Sequence, residues 1–342
     1  MPDTAEERTS ATWDRGLSPE IAVAIATHDR ARFLPELVRT LESQTLAADR
    51  FEVVIADDAS SDHTWNVLAQ IAGRTPLRLR AIRLAANSGP AAARNVAATA
   101  SRAPLVAFTD DDCLPSPSWL DALAAAFRSG LDLVQGRVAP DPVDYSPSDP
   151  WARTLWVTRG DWLFESCNIA YRRTSFDALG GFEVARPDVT RGTRAHFGED
   201  TLLGWRLKAA GMRATFDADA LVYHRVHAGT FGEWLIELRR RVLFPTVVRL
   251  SPGMGRSLFA GVFLSRTTAA FDLAVAGVLT AAFRQELWPL AGIAPWLWIR
   301  WRDARWRAGR RPLFRLAQLG IGDVVSLASL LEGSVRARRI VL

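Results

Sequence analysis

Three apolar runs, each stopped abruptly by acidic or polar residues, constrain this chain most. Ile21–Thr27 reads IAVAIAT and meets His28-Asp29-Arg30, Phe51–Ala56 reads FEVVIA and meets Asp57-Asp58, and Leu105–Thr109 reads LVAFT and meets Asp110-Asp111-Asp112. Continuous apolar character, rather than alternation, predicts strands buried on both faces. Leu77–Leu84 reads as a further strand. Amphipathic spacing predicts helices over Phe33–Gln44, Ser61–Ala72 and Gly89–Ser101, and another opening at Ser116-Pro117, where proline at the first position forfeits no hydrogen bond. Strands alternating with helices of this length imply an α/β fold, a mostly parallel sheet covered on both faces. Ligands of such sheets lie beyond the strand carboxyl ends. Thr27, Asp57-Asp58 and Asp110–Asp112 all fall there.

Past residue 140 the rhythm loosens. Residues 141–150 read as a loop, and the tryptophan-bearing stretch to Ser166 as a cover that packs over a ligand. A helix beginning near Glu199 and stopped by Gly211 is predicted, then a strand from Arg213 to Val222. Beyond Phe231, long apolar or amphipathic runs take over: Leu258–Phe283, Leu287–Trp301 and Leu313–Leu331.

With 342 residues, 49% of them apolar and 23% charged, the chain has material for a folded core. Its charge is divided unevenly. Residues 1–235 hold 25 basic and 31 acidic side chains, whereas residues 236–342 hold 17 basic and 6 acidic. Five tryptophans lie among residues 288–306 and seven arginines among 300–315. Indole rings that settle at headgroup level beside guanidinium groups that reach phosphate fit an interfacial helix. Packing against the rest of the protein or a partner is the alternative. Charges interrupt each run too often for a clear spanning segment. Because the basic excess is confined to an apolar-rich tail, nucleic acid is not the expected partner. The first 20 residues are polar and acidic and lack the apolar core of a secretory leader, so 1–19 reads as a loose arm. Two cysteines, Cys113 and Cys167, support neither a disulfide framework nor a zinc cluster, and point to a reducing compartment.

Each candidate residue admits two readings. The triple aspartate is either a polar turn or a cation site; on an extended strand, Asp110 and Asp112 would share one side and Asp111 the other. Oxygen ligation would favour magnesium or manganese over zinc. Asp57-Asp58 is either a turn or an acceptor for the N–H of a nucleotide base. Glu199-Asp200 complements a helix N-terminus or supplies a base. His224 and His227 are surface residues, or one gives nitrogen to a metal or phosphate.

Taken together, ATHDR at 26–30, EVVIADDASSD at 52–62, NSGPAAARN at 87–95, VAFTDDDCLPSPSWL at 106–120, ALGGFE at 178–183 and FGEDTLLGWRLKAAG at 197–211 resemble the family 2 glycosyltransferases of the nucleotide-binding GT-A type. The resemblance runs over roughly residues 20–227. It implies a GT-A domain at 20–235; composition beyond it reads 236–342 as a basic amphipathic helical region associated with the membrane. It places Thr27, Asp58, Arg94 and Asp110 at the donor, and Asp110, Asp112 and His224 at a divalent metal, Mg2+ or Mn2+. Asp200 is cast as the catalytic base of inverting transfer from a nucleoside-diphosphate sugar to an acceptor hydroxyl, on a lipid-linked or cell-envelope glycan. The Gln-x-x-Arg-Trp sequence of processive members is missing, since glutamines after Asp200 occur only at 285 and 318. Addition of one sugar or very few is therefore expected, by a peripheral or monotopic protein on the cytoplasmic membrane face beside anionic lipid. A sugar-nucleotide nucleotidyltransferase is the rival reading, disfavoured because no glycine-rich loop follows the first strand. A non-catalytic saccharide-binding scaffold is another, disfavoured by the full set of acidic residues.

Overall fold

The computed structural model describes residues 2–14, 18–146, 149–160, 162–184, 197–307 and 311–342. Residues 15–17 of the expected arm, 147 and 148 of the expected loop, and 308–310 of the arginine-rich stretch lie outside them. The described residues form two compact units, one within 1–144 and 154–226, the other within 145–153 and 227–342.

The first unit is built on a nine-stranded sheet in the order β1-β4-β3-β2-β5-β8-β7-β9-β6. Its heart is parallel: β2 (Ile21–Thr27) lies between β3 (Phe51–Asp57) and β5 (Leu105–Thr109), and β4 (Leu79–Leu84) follows β3. Helices α1 (Leu34–Glu42), α2 (Thr64–Ala72), α3 (Pro90–Ala100) and α4 (Trp119–Phe127) connect or follow these strands. Alternate residues serve opposite faces. Val23, Ile25, Val53 and Ile55 enter one core with Leu37 and Leu123, while Ala24, Val54 and Ala56 face a second core with Ala93 and Val96 of α3. Alanine on both strand and helix lets that helix approach closely. Phe108, Tyr171, Phe176 and Phe182 close the same layer, mostly edge to face, with Phe108 and Phe182 centred 4.9 Å apart.

The parallel block is extended by β7 (Leu133–Pro140), β8 (Asn168–Arg172) and β9 (Ala214–His224), and by a short β6 (Cys113–Pro115) that pairs antiparallel with β9. A six-residue helix α5 (Arg173–Ala178) and then α6 (Glu199–Ala209) precede β9. Buried Asn168 ties this half together. Its Oδ1 accepts from Trp119 Nε1 at 2.8 Å and its Nδ2 donates to the Arg137 and Ala220 carbonyls at 2.8 Å each.

The N-terminus departs from the expected loose arm. Thr4–Thr9 forms β1, an antiparallel edge strand on β4. Glu7 pairs with Arg80 at 2.8 Å, and Glu6 accepts from Trp65 Nε1 at 3.1 Å and pairs with Arg83 at 3.3 Å. Cross-strand charge, absent from any apolar pattern, orders this strand and also protects the edge.

The second unit is helical, with helices Phe231–Arg239, Phe244–Leu250, Arg266–Arg284, Ile293–Arg307 and Pro312–Ala337. Arg266–Arg284 and Pro312–Ala337 are long and apolar enough to cross a bilayer by length and composition, although a third or more of the apolar window of each is buried within the protein.

Replacing Asn168 with alanine strands a buried indole N–H, the buried Ala220 carbonyl and the Arg137 carbonyl. Urea unfolding of this variant is expected to show a loss of about 2–4 kcal/mol.

Candidate active site at the sheet's carboxyl edge

Strand order reverses at β2: the chain moves outward to β3 and β4, then returns to place β5 on the other side. Loops leaving β2 and β5 therefore diverge and open a crevice. A cavity of about 430 Å3 occupies it, and its lining includes Thr27, Asp58, Arg94, Asp110, Asp112 and His224.

Each of these is fixed by a specific contact. Thr27 Oγ1 donates to Asp111 Oδ2 at 2.7 Å, joining the ends of β2 and β5 across the reversal. Asp58 accepts the backbone N–H of Ser88 at 2.7 Å and of Gly89 at 2.8 Å. Gly89 sits at φ 88°, a conformation that glycine adopts without strain, and delivers the chain into α3. Buried Arg94 reaches out of α3, giving Nη2 to Asp110 Oδ1 at 2.8 Å and Nη1 to Glu199 Oε1 at 3.2 Å. One guanidinium thus links the triple-aspartate turn to the first turn of α6.

Pairing of β6 with β9 sets Cys113 opposite His224 and so brings the imidazole beside Asp112. His224 Nδ1 lies 2.7 Å from the Arg225 carbonyl, which only accepts, so Nδ1 carries the proton. In the neutral ring, Nε2 then presents a lone pair 3.6 Å from Asp112 Oδ1. Two electron-rich atoms at that spacing fit a shared cation, and a hydrogen-bonded Nδ1 is the usual support of a ligating histidine. Cys113 completes a three-residue group with them. Burial pushes its thiol well above the usual range, so it holds its proton while carboxylate and imidazole remain the better donors.

Burial, reinforced by neighbouring Asp112, pushes Asp111 up to about 7, against the opposing effect of the Thr27 hydroxyl. Asp200 is likewise pushed up to about 7, by burial first and Glu199 next, while Arg94 and two backbone amides pull the other way.

Residues 22–180 match the family described as Glycosyl transferase family 2. Validoxylamine A glucosyltransferase of Streptomyces hygroscopicus subsp. jinggangensis is 29% identical over 285 residues, covering 71% of this chain and 64% of the relative. The chain thus spans less than two thirds of that relative's length. Among solved structures, Staphylococcus aureus TarS 1–349 in complex with UDP aligns with a TM-score of 0.51 at 18% identity, covering 94% of this chain and 92% of that one. Mannosyltransferase PcManGT from Pyrobaculum calidifontis, in complex with GDP-Man and Mn2+, aligns at 0.54 and 19%, covering 95% and 90%. At such identities the likeness concerns the fold, and the α/β GT-A architecture expected from the motifs is the one observed.

The first unit departs from the sequence reading in two details. Asp110–Asp112 do not continue the strand with alternating sides; β5 ends at Thr109, the chain turns, and all three aspartates line one cavity. Asp200 does not line that cavity: its carboxylate accepts the backbone N–H groups of Thr201 at 2.7 Å and Ser166 at 3.1 Å. Of the two histidines, His224 lines the cavity, whereas His227 belongs to the second unit, where its backbone pairs with Arg153. Several cavity-lining residues went unread, among them His28, Arg30 and Asn87. They sat in plain view within THDR and NSG. Arg30 Nη1 stands 3.6 Å from Asp112 Oδ2, and Asn87 Nδ2 lies 3.1 Å from His28 Nε2. Glu199, which the sequence leaves open between a helix-end charge and a base, is the partner of Arg94.

Asp58→Asn would oppose a side-chain NH2 to a backbone N–H. We expect faster hydrogen exchange at Ser88 and Gly89 and a stability loss of about 1–3 kcal/mol.

Proposed function

We propose that this protein transfers a sugar from a nucleoside-diphosphate sugar to an acceptor hydroxyl with inversion, at a site supported by a divalent cation. The observation that carries this reading is the convergence of Thr27, Asp58, Arg94, Asp110, Asp112 and His224 on one cavity at the strand reversal. The relatives' names and the nucleotide complexes of the two aligned structures support the donor class.

Thr27 and Asp58 bound the part of the cavity assigned to the nucleotide, with Asp58 also bracing the loop before α3. Asp110, Asp112 and His224 would hold Mg2+ or Mn2+. Such an ion supplies charge neutralisation to a diphosphate as it departs. Arg94 orients Asp110 and contributes positive potential toward the phosphates. Asp200 is assigned the proton. The acceptor oxygen attacks the anomeric carbon as its proton passes to the Asp200 carboxylate. The bond from that carbon to the diphosphate oxygen breaks, and its electron pair leaves with the diphosphate. A carboxyl group raised toward neutrality is a stronger base than an ordinary aspartate. Glu199, engaged by Arg94, is less suited to that role.

The second unit supports action at a membrane surface. Phe283, Leu287, Trp288 and Trp298 are largely exposed, and arginines on the same unit would meet anionic headgroups. Its two long helices also carry buried polar groups, Thr268 in one and Arg315 and Asp323 in the other. Intramembrane charge of that kind is costly, which favours a peripheral or monotopic placement on the cytoplasmic face and a lipid-linked or cell-envelope acceptor.

Asp200→Asn is expected to lower turnover about 1,000-fold while calorimetry shows donor affinity little changed. In the parent protein kcat should fall about tenfold per pH unit below about 7, because protonated Asp200 cannot accept a proton, and level off above it. Full turnover by the asparagine variant would remove the residue from the base role. His224→Gln should raise the metal concentration needed for half-maximal activity about tenfold or more.

A further inference from the structure

Arg30, in the loop from β2 to α1, lines the first unit's cavity without carrying an assigned role. Its surroundings fix where the side chain begins. Asp29 sits at φ 53°, a left-handed conformation that aspartate tolerates better than most residues. Its carboxylate accepts the backbone N–H groups of Ser61 at 2.7 Å and Asp62 at 3.1 Å. The backbone N–H of Arg30 then donates to Thr64 Oγ1 at 2.9 Å, and its carbonyl accepts from the Phe33 amide at 3.0 Å. The loop is thereby tied to the segment that opens α2, and Arg30 leaves it from a fixed position.

The guanidinium lies over the Phe33 ring, 5.3 Å from its centre, a contact that supports the cation without using its N–H groups. Nη1 stands 3.6 Å from Asp112 Oδ2, too far for a hydrogen bond. Among the described residues, the Arg30 side chain makes no hydrogen bond. Arg94 differs. Its side chain is 9% exposed against 39% for Arg30, and both of its terminal nitrogens are bonded to carboxylates. The two oxygens of Asp112 face different partners, Oδ1 toward His224 Nε2 and Oδ2 toward Arg30, each at 3.6 Å. A divalent ion at Asp112 and His224 would neutralise the carboxylate that Arg30 faces. The charge of the guanidinium is then available to whatever anion the cation brings.

We propose that Arg30 binds the donor's diphosphate, donating N–H groups to its phosphate oxygens as negative charge develops there. The inference rests on the glycosyl-transfer reading and adds a residue to it. A planar fork of N–H donors matches phosphate oxygens in geometry, and a guanidinium stays protonated throughout. When the bond from the anomeric carbon breaks, its electron pair goes to the diphosphate oxygen, and no proton leaves Arg30. Engaging a phosphate breaks no hydrogen bond of the side chain and gives up only a long ion pair, which the cation at Asp112 offsets. Donors aimed in advance at developing charge need little reorganisation.

Binding by the intact protein tests this role. Calorimetry in saturating MnCl2 measures UDP and GDP, and electron paramagnetic resonance measures Mn2+ alone. Whichever diphosphate the parent binds, Arg30→Gln should bind it about tenfold more weakly, with the melting temperature unchanged. Arg30→Lys, which keeps the charge but loses the fork, should recover part of that loss. Mn2+ alone should bind Arg30→Gln at least as tightly as the parent, since a competing positive charge has left Asp112. A residue that merely shaped the loop would weaken both ligands instead. Arg32→Gln, 4.5 Å from the centre of the same Phe33 ring but outside the cavity lining, should bind as the parent does. If the parent binds neither diphosphate, the donor reading fails and this inference with it. If the parent binds one and Arg30→Gln binds it undiminished, the inference alone is overturned. It is also overturned if Arg32→Gln weakens binding equally, or if Arg30→Gln loses affinity for Mn2+ alone.

Discussion

A single buried guanidinium organises the mouth of the first unit's cavity. Arg94 leaves α3 in a position where water does not solvate it, and such a charge is tolerable only with carboxylates at hand. Asp110 and Glu199 supply them, from segments far apart in sequence. The turn after β5 and the start of α6 are therefore held in place by the same side chain. Asp200, the residue after Glu199, takes its position from that anchor and from the Ser166 and Thr201 amides. Its elevated pKa follows from the same arrangement: burial first, then a second carboxylate beside it, only partly offset by Arg94.

The cavity exists because of topology. A parallel sheet whose order reverses at β2 must part its loops at the β2 and β5 ends, and a polar bridge from Thr27 to Asp111 spans the parting. Asp58 stabilises the neighbouring wall by satisfying two amides that precede α3. On the other flank, three residues of β6 pair with the end of β9 and so bring His224 to Asp112. A rigid scaffold with polar groups at its rim is a suitable frame for electrostatic work, because those groups need not reorganise as charge develops.

The second unit follows a different physical logic. Its helices combine exposed aromatic and aliphatic side chains with an interior ion pair, Asp323 with Arg300, further bonded by Trp296. That pairing satisfies the buried acid with three N–H donors. Length and composition alone would make Pro312–Ala337 resemble a spanning helix. Polar residues on its packed side, Arg315, Asp323, Ser326 and Ser329, give it another explanation.

Apolar runs ended by acids were enough to place β2, β3, β5 and their helices, because burial on both faces demands uninterrupted apolar sequence and strand ends demand polarity. Thr27, Asp58, Asp110 and Asp112 were readable for the same reason, each standing at a strand end, whereas Arg94 was reached only through the family resemblance. Edge strand β1 was not, since paired charges rather than apolar spacing hold it, and neither was β6, three residues long and dependent on a partner more than a hundred positions away. The sequence by itself determined which elements form and that acids gather at one edge of the sheet. Only the tertiary structure decided that Asp111 faces the same cavity as its neighbours, that Arg94 chooses Glu199, and that Asp200 sits outside the cavity lining. Those outcomes depend on long-range register and on competition for buried hydrogen-bond partners, which local residue order does not encode.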